Sequence, residues 1–297
     1  MWSAANRSAQ EMIWMSVGEP LYRDLDRMQT AARGLIDAPD KKGALHLDPS
    51  YVPSPEIAEV DIHLQPGGYA LDRGPDDIIA GVFYETGGNV FSFGQGAGKS
   101  DSKAGVIFKL LDAEFPEIKP LRILDLGCSA GAASAAYAAN FPDADVHAVD
   151  IGAGMLRYAH ARAEALGVGV TFHQMDASVL NFEDGFFDLV VSHNMLHEIG
   201  AEKRRLMMAE ALRVTRPGGI VILQDVDTRM APSIVHQVEK DWDTHFNGER
   251  FWNIYNNADL VADMYGAGFA RSDVAEHDMA AVSGINRWYI ISGRKPV

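Results

Sequence analysis

The chain from residue 121 onward predicts an open α/β fold built on a mostly parallel sheet. Three observations point there. Short runs rich in Val, Ile, Leu and Phe recur, helical patterns separate them, and glycine or proline marks the joints. Strands are expected at 121–126, 145–150, 170–174, 187–193, 220–224, 269–275 and 287–292, seven in all.

The connections follow in order. An Ala-rich stretch, 130–140, supplies the first crossover helix. Met155, Ala159, Ala163 and Leu166 put an apolar stripe on the second, which Gly167 ends. A helix over 201–214 cannot continue through Pro217-Gly218-Gly219, and that turn delivers the chain into the fifth strand. A further helix is read near 258–266. Roughly a dozen residues join the last two strands, too few for a crossover helix, so the final strand should run antiparallel.

Ahead of this core, residues 1–115 are read as a helical and loop-rich cap that also serves as an association segment for a homodimer. Two helices are expected, at 4–17 and 19–35. A Gly, Pro and Tyr-rich stretch over 63–98 follows, with Gln65-Pro66-Gly67-Gly68-Tyr69 and Phe91-Ser92-Phe93-Gly94-Gln95-Gly96. Its glycines permit tight turns while its aromatics need something to cover, so it suits a lid over a site, with plain packing as the alternative. Residues 116–297 form the core domain, in which 226–256 is longer than a crossover requires and is read as a substrate-side insertion.

Composition narrows the function. An apolar content of 47% over 297 residues supports a sizeable core. Against 41 Asp and Glu stand 26 Lys and Arg, a formal charge of -15 that repels phosphate backbones and anionic membranes, so neither nucleic acid nor membrane is an expected partner. The single cysteine, Cys128, excludes an internal disulfide and fits a reducing, cytoplasmic setting. Residues 1–10 are polar throughout and no apolar run approaches bilayer length, so neither export nor insertion is expected.

The string Ile123-Leu124-Asp125-Leu126-Gly127-Cys128-Ser129-Ala130-Gly131-Ala132 runs from a strand through a tight loop into a helix. Gly127 and Gly131 let backbone approach a ligand, and free N–H groups at the helix start favour an electronegative group such as a carboxylate. Asp125 offers the opposite preference, for an ammonium or a hydroxyl. Asp150 closes the second strand, where a carboxylate can accept both hydroxyls of a ribose.

This loop resembles motif I of class I S-adenosylmethionine-dependent methyltransferases, with Ser129 where the middle glycine usually stands. The resemblance implies a Rossmann-like, seven-stranded sheet with an antiparallel last strand, S-adenosylmethionine as cofactor and S-adenosylhomocysteine as product. It further implies a cofactor site of Asp125, Gly127, Cys128, Ser129, Gly131, Asp150, Ile151, Met155, Asp176, Ala177 and His193. In it Asp176 accepts from the adenine amino group while Ile151 and Met155 flank the ring. Phe187 to Ile199, with Arg213 to Gly219, is similar to the motif IV and V region of the same family. Leu196-His197-Glu198 resembles the Leu-His-Asp string of caffeate-type O-methyltransferases, which makes His197 the candidate base and His193 its companion. An imidazole of ordinary pKa, near 6.5, could take the proton of a hydroxyl as it attacks the methyl group, and packing under the sheet edge is the alternative.

Asn194, Trp242, His245, Phe246 and Trp252 are the expected substrate contacts, since aromatic and amide groups suit a small-molecule pocket. No metal site is expected: His193 and His197 are four apart, but no third ligand shows in the sequence. The reading is thus O-methylation of a hydroxylated or phenolic small molecule, with C- or N-methylation as the nearest alternatives. More distant ones stay open. Gly127 to Gly131 also spells a G-x-S-x-G elbow, which with Asp225 and His277 would make a serine hydrolase. Asp125 to Ala133 resembles the loop of carboxy-S-adenosylmethionine synthases. A dehydrogenase would ordinarily show G-x-G-x-x-G, and a cofactor-binding partner subunit would not turn over at all.

Overall fold

The computed structural model describes residues 2–91, 102–226, 233–280 and 287–297. Helix α1 (Trp2–Ile36) leads into β1 (Ala44–His46), the short α2 (Pro55–Ala58), α3 (Ile79–Phe91) and α4 (Ser102–Glu114). The core then alternates β2 (Arg122–Leu126), α5 (Ala132–Asn140), β3 (Asp145–Asp150), α6 (Ala153–Ala165), β4 (Thr171–Gln174), β5 (Phe187–His193), α7 (Ala201–Val214) and β6 (Thr215–Val226). After α8 (Ile234–Phe246), α9 (Trp252–Asn256) and α10 (Leu260–Ala267), the hairpin of β7 (Val274–Ala280) and β8 (Arg287–Arg294) completes the sheet.

The strands lie in the order β1-β4-β3-β2-β5-β6-β8-β7, parallel throughout except at β8, which runs antiparallel to both its neighbours. The predicted α/β sheet and its reversed last strand are therefore present. Period-two alternation divides the central strands between two cores. Ile123, Leu189, Val191, Ile220 and Ile222 face α4, α5 and α6, while Leu124, Val190, Val221 and Leu223 face α7 and α10. The reversal at β2 and β5, where the chain leaves for opposite sides of the sheet, opens a crevice at the carboxyl ends of the strands, the usual ligand position in such folds.

Several elements differ from expectation: α3 is a helix within the Gly, Pro and Tyr-rich stretch, and α2 and α4 add to the two helices expected before the core. β1 is an eighth strand among the described residues, pairing with β4 through Ala44↔Thr171, Leu45↔Phe172 and His46↔His173. The two N-terminal helices are one, running through Pro20. Proline inside a helix costs about 3 kcal/mol. Trp14, Leu25 and Ala32 lie on one face at whole-turn spacing, and their burial with Ile79, Val82 and Phe83 of α3 and Ala161 of α6 offsets that cost. β7 begins later than residue 269: Gly268, at φ 111°, ends α10, and Arg271–Asp273 forms a single tight turn before the strand.

Of the two glycine and aromatic motifs, Gln65 to Tyr69 is described, whereas residues 92–96 of the second lie outside the described residues, as do 227–232 of the insertion. No helix among the described residues is long and apolar enough to cross a membrane.

Candidate active site

The crevice is a cleft of about 780 Å³ whose floor carries Gly127, Ser129, Asp150, Ile151, Asp176, Ala177 and Asn194. Its lining also includes Ile57, Ile62 and Tyr69 from the N-terminal segment and Glu198 and Phe251 from the core.

The loop after β2 is held open by backbone geometry. Gly127, Ser129 and Gly131 all have left-handed φ, at 68°, 48° and 73°. At Gly131 a Cβ would meet Ala159 Cβ at 2.9 Å, so this glycine is needed for packing against α6 as well as for its φ. Ser129 adopts the left-handed conformation without being glycine, and its N–H donates to Asp150 Oδ2 at 2.9 Å. Gly152 N–H donates to Asp150 Oδ1 at 3.0 Å. Burial raises the Asp150 carboxyl while these N–H groups oppose the rise. A carboxylate keeps further lone pairs beyond these two bonds, so the group can still accept from ligand hydroxyls.

The other expected cofactor residues divide. Asp176 takes Lys203 Nζ at 2.5 Å and Ser178 Oγ at 2.6 Å. Burial works against its charge, but Lys203 and Ser178 hold the carboxyl below its usual range. Ile151 and Ala177 line the cleft, but Met155 packs beneath it with Ala80 and Ala130. Asp125 is buried on β2 and accepts from Ser134 Oγ at 2.6 Å, beneath the loop. Cys128 is buried with its thiol pushed well up, first by burial and then by Asp150 and Asp125.

His193 is not brought to the cleft. Its Nδ1 lies 2.9 Å from Gln224 Oε1 and its Nε2 3.1 Å from the Tyr137 hydroxyl, behind the sheet edge. His197 is nearer. Its Nδ1 is 2.5 Å from Asp225 Oδ1 and its Nε2 3.4 Å from Glu198 Oε1, and Glu198 itself lines the cleft. Burial disfavours the charge, yet Asp225 and Glu198 outweigh it and push the imidazole up to about 10. Burial likewise raises Glu198, but His197 and His63 hold it well below the carboxylate range. So held, the ring favours its protonated form, unlike the ordinary imidazole assumed for the base, and must release its Nε2 proton before it can act as base or ligand.

Of the expected substrate residues, Asn194 lines the cleft at φ 54°, and its Oδ1 is buried with no hydrogen-bond partner among the described residues. Trp252 packs edge-on against His197, ring centroids 4.8 Å apart, and is buried. Trp242 and Phe246 pack on each other along α8, with His245 beside Phe246, away from the cleft lining. The hydrolase set is not assembled. Asp225 belongs to His197, and His277 Nε2 lies 2.9 Å from Ser292 Oγ.

Several residues escaped the sequence. Tyr69 donates to Glu198 Oε1 at 3.0 Å, and His63 sits between Glu198 and Glu249. His63 and Leu64 both have left-handed φ, and the His63 carbonyl accepts from Trp14 Nε1 at 2.8 Å and Gln10 Nε2 at 2.7 Å. No local spacing announces such a convergence. The glycines of Gln65 to Tyr69 were its one signal.

Residues 123–219 match the sequence model of a family described as a methyltransferase domain. By sequence, this stretch is similar to a methyltransferase domain. Over 110 residues the chain is 36% identical to the demethylmenaquinone methyltransferase of Thermus thermophilus, covering 36% of this chain and 49% of that one. Over 101 residues it is 40% identical to the malonyl-[acyl-carrier protein] O-methyltransferase of Methylococcus capsulatus, covering 34% and 35%. The chain thus spans half or less of the length of these curated relatives. In fold it is similar to the Haemonchus contortus phosphoethanolamine N-methyltransferase 2 complex with phosphomonomethylethanolamine and S-adenosylhomocysteine. The TM-score is 0.54 at 18% identity, over 72% of this chain and 58% of that one.

Proposed function

We propose that the protein is an S-adenosylmethionine-dependent methyltransferase acting on the hydroxyl oxygen of a small molecule. The carrying observation is the lining of the cleft, where Asp150, Asp176, the left-handed Ser129 loop and an Asn194 Oδ1 with no partner among the described residues stand together. A buried amide oxygen without a partner costs about 1–3 kcal/mol, so the site calls for a donor, which an ammonium group supplies. Asp150 and Asp176 would hold hydroxyl and amino groups of the nucleoside, and the Gly127–Gly131 loop its carboxylate end.

When bound, S-adenosylmethionine supplies an electrophilic methyl group on a sulfonium. The protein's task is then to align the acceptor and exclude water. Other lining residues suit this: Tyr69 and Glu198 offer a hydroxyl and a carboxylate to orient a polar acceptor, while Ile57, Ile62 and Phe251 keep the site apolar. The acidic composition and the apolar wall support a small-molecule acceptor over nucleic acid.

Calorimetry with S-adenosylmethionine and S-adenosylhomocysteine tests the reading. Binding is expected in the wild type and about tenfold to a hundredfold weaker in Asp150→Ala, the range for losing charge-assisted hydrogen bonds. Release of S-adenosylhomocysteine with hydroxylated but not amine acceptors would separate O- from N-methylation. Absence of binding to either ligand would sink the proposal.

A further inference from the structure

His63, His197, Glu198 and Glu249 come from separate stretches of chain, yet their donor atoms all lie within 4.8 Å of one another. We infer that these four side chains form a binding site for one divalent first-row transition-metal ion at the wall of the cleft. His63 Nε2 is 3.2 Å and His197 Nε2 3.4 Å from Glu198 Oε1, and His63 Nδ1 is paired with Glu249 Oε1. Donors around a four-coordinate ion with bonds near 2.1 Å stand about 3.4 Å apart, so closing the set requires only small side-chain movements.

Two further observations point to an ion. Glu249 is 4% exposed, and its Oε2 has no hydrogen-bond partner among the described residues, which leaves a buried carboxylate oxygen unsatisfied. Asp225, fully buried, takes His197 Nδ1 and so turns Nε2 toward the cluster, the carboxylate–histidine arrangement that orients metal ligands. Charge argues the same way. Three buried or part-buried carboxylates, Asp225, Glu198 and Glu249, face two imidazoles; with both rings neutral, as metal ligands must be, the group carries -3, which a dication reduces to -1.

The donor set selects the ion. Two imidazoles and two carboxylates suit Zn²⁺, Mn²⁺, Fe²⁺ or Co²⁺, whereas Mg²⁺ and Ca²⁺ prefer oxygen throughout. Glu198 belongs to both the cluster and the cleft, so a six-coordinate ion there keeps positions for oxygen atoms of a chelating acceptor. This last step rests on the proposed methyl transfer, whereas the metal site does not.

The test is titration of the full, EDTA-treated chain with ZnCl₂ by calorimetry and with CoCl₂ by visible absorption. One ion per chain is expected, with d–d bands from bound cobalt. His63→Ala and Glu249→Gln should each weaken zinc binding at least about a hundredfold, and Asp225→Asn about tenfold to a hundredfold. Glu249→Gln keeps the side chain's shape, and circular dichroism checks each fold. Asp150→Ala should bind zinc like the wild type, which separates failure of the metal site from failure of the cofactor reading. A wild-type chain that takes up neither ion, or variants that bind zinc as tightly as it does, would overturn the inference.

Discussion

Histidines gather at two places in this molecule, and burial disfavours the charged ring of His173 at one and of His63 and His197 at the other. At the sheet edge His46 of β1, His147 of β3 and His173 of β4 stack, with His147 Nδ1 3.0 Å from His173 Nε2. There burial, followed by the neighbouring His147 and His46, lowers His173 to about 4, and Asp145 opposes them only in part. Beside the cleft His63 and His197 are raised instead, because Glu249, Glu198 and Asp225 overcome the same penalty. Burial lowers the rings in both places, and only beside the cleft do carboxylates reverse the sign. One cluster is a packing device within strand pairing, and the other concentrates charge.

The largest effect should come from removing the partner of a buried charge. Asp225→Asn leaves His197 without its main counterion and disturbs the bond from Leu196 N–H, which is 2.7 Å long. A loss of about 3–5 kcal/mol is expected in urea unfolding of the metal-free chain. A loss below about 1 kcal/mol would mean that the two clusters do not differ as described.

The sheet-edge cluster should show itself in acid. His173 has a folded pKa below its unfolded value, so the folded state favours the neutral ring: stability is intact above pH 6.5 and falls as the pH drops toward 4. Because the ring is partly exposed, solvent screening limits the cost to on the order of 1–2 kcal/mol. His173→Phe should remove this part of the acid sensitivity in unfolding curves at pH 7 and pH 4.5. His147→Asp should carry the His173 titration, followed by NMR, back toward 6.5, and a ring that still titrates near 4 would give burial the deciding role.

The smallest effect concerns support. Trp14→Phe deletes the indole N–H that holds the His63 carbonyl while keeping most of the apolar contact, and should cost about 1 kcal/mol.

Much of this architecture was legible in sequence because its signals are local. β5 is a run of apolar residues bounded by a turn, and Pro217-Gly218-Gly219 marks the entry to the apolar run of β6. The glycine loop, Asp150 and Asp176 follow consecutive strands, so strand order placed them at one crevice. Ala44-Leu45-His46 is too short to carry a period, and pairing with β4 alone makes it a strand. Gly18-Glu19-Pro20 reads as a break, but tertiary burial of Trp14 and Leu25 overrides it. His63 and Glu249 could not be read, since nothing in their own surroundings encodes a meeting with residues 197 and 198. His193 and His197 looked alike in sequence, and only the turn after β5 sends one behind the sheet and the other toward the cleft.

The strand order has a consequence for biosynthesis. β8 lies between β6 and β7, so one edge of β6, with Ile220, Val221, Ile222 and Leu223 fully buried in the finished protein, stays bare until residues 287–294 have left the ribosome. For that interval the nascent chain presents an apolar, unpaired strand of the kind that recruits other strands. A chain stopped short of β8 would keep that edge permanently, and its fate would be aggregation or capture by chaperones.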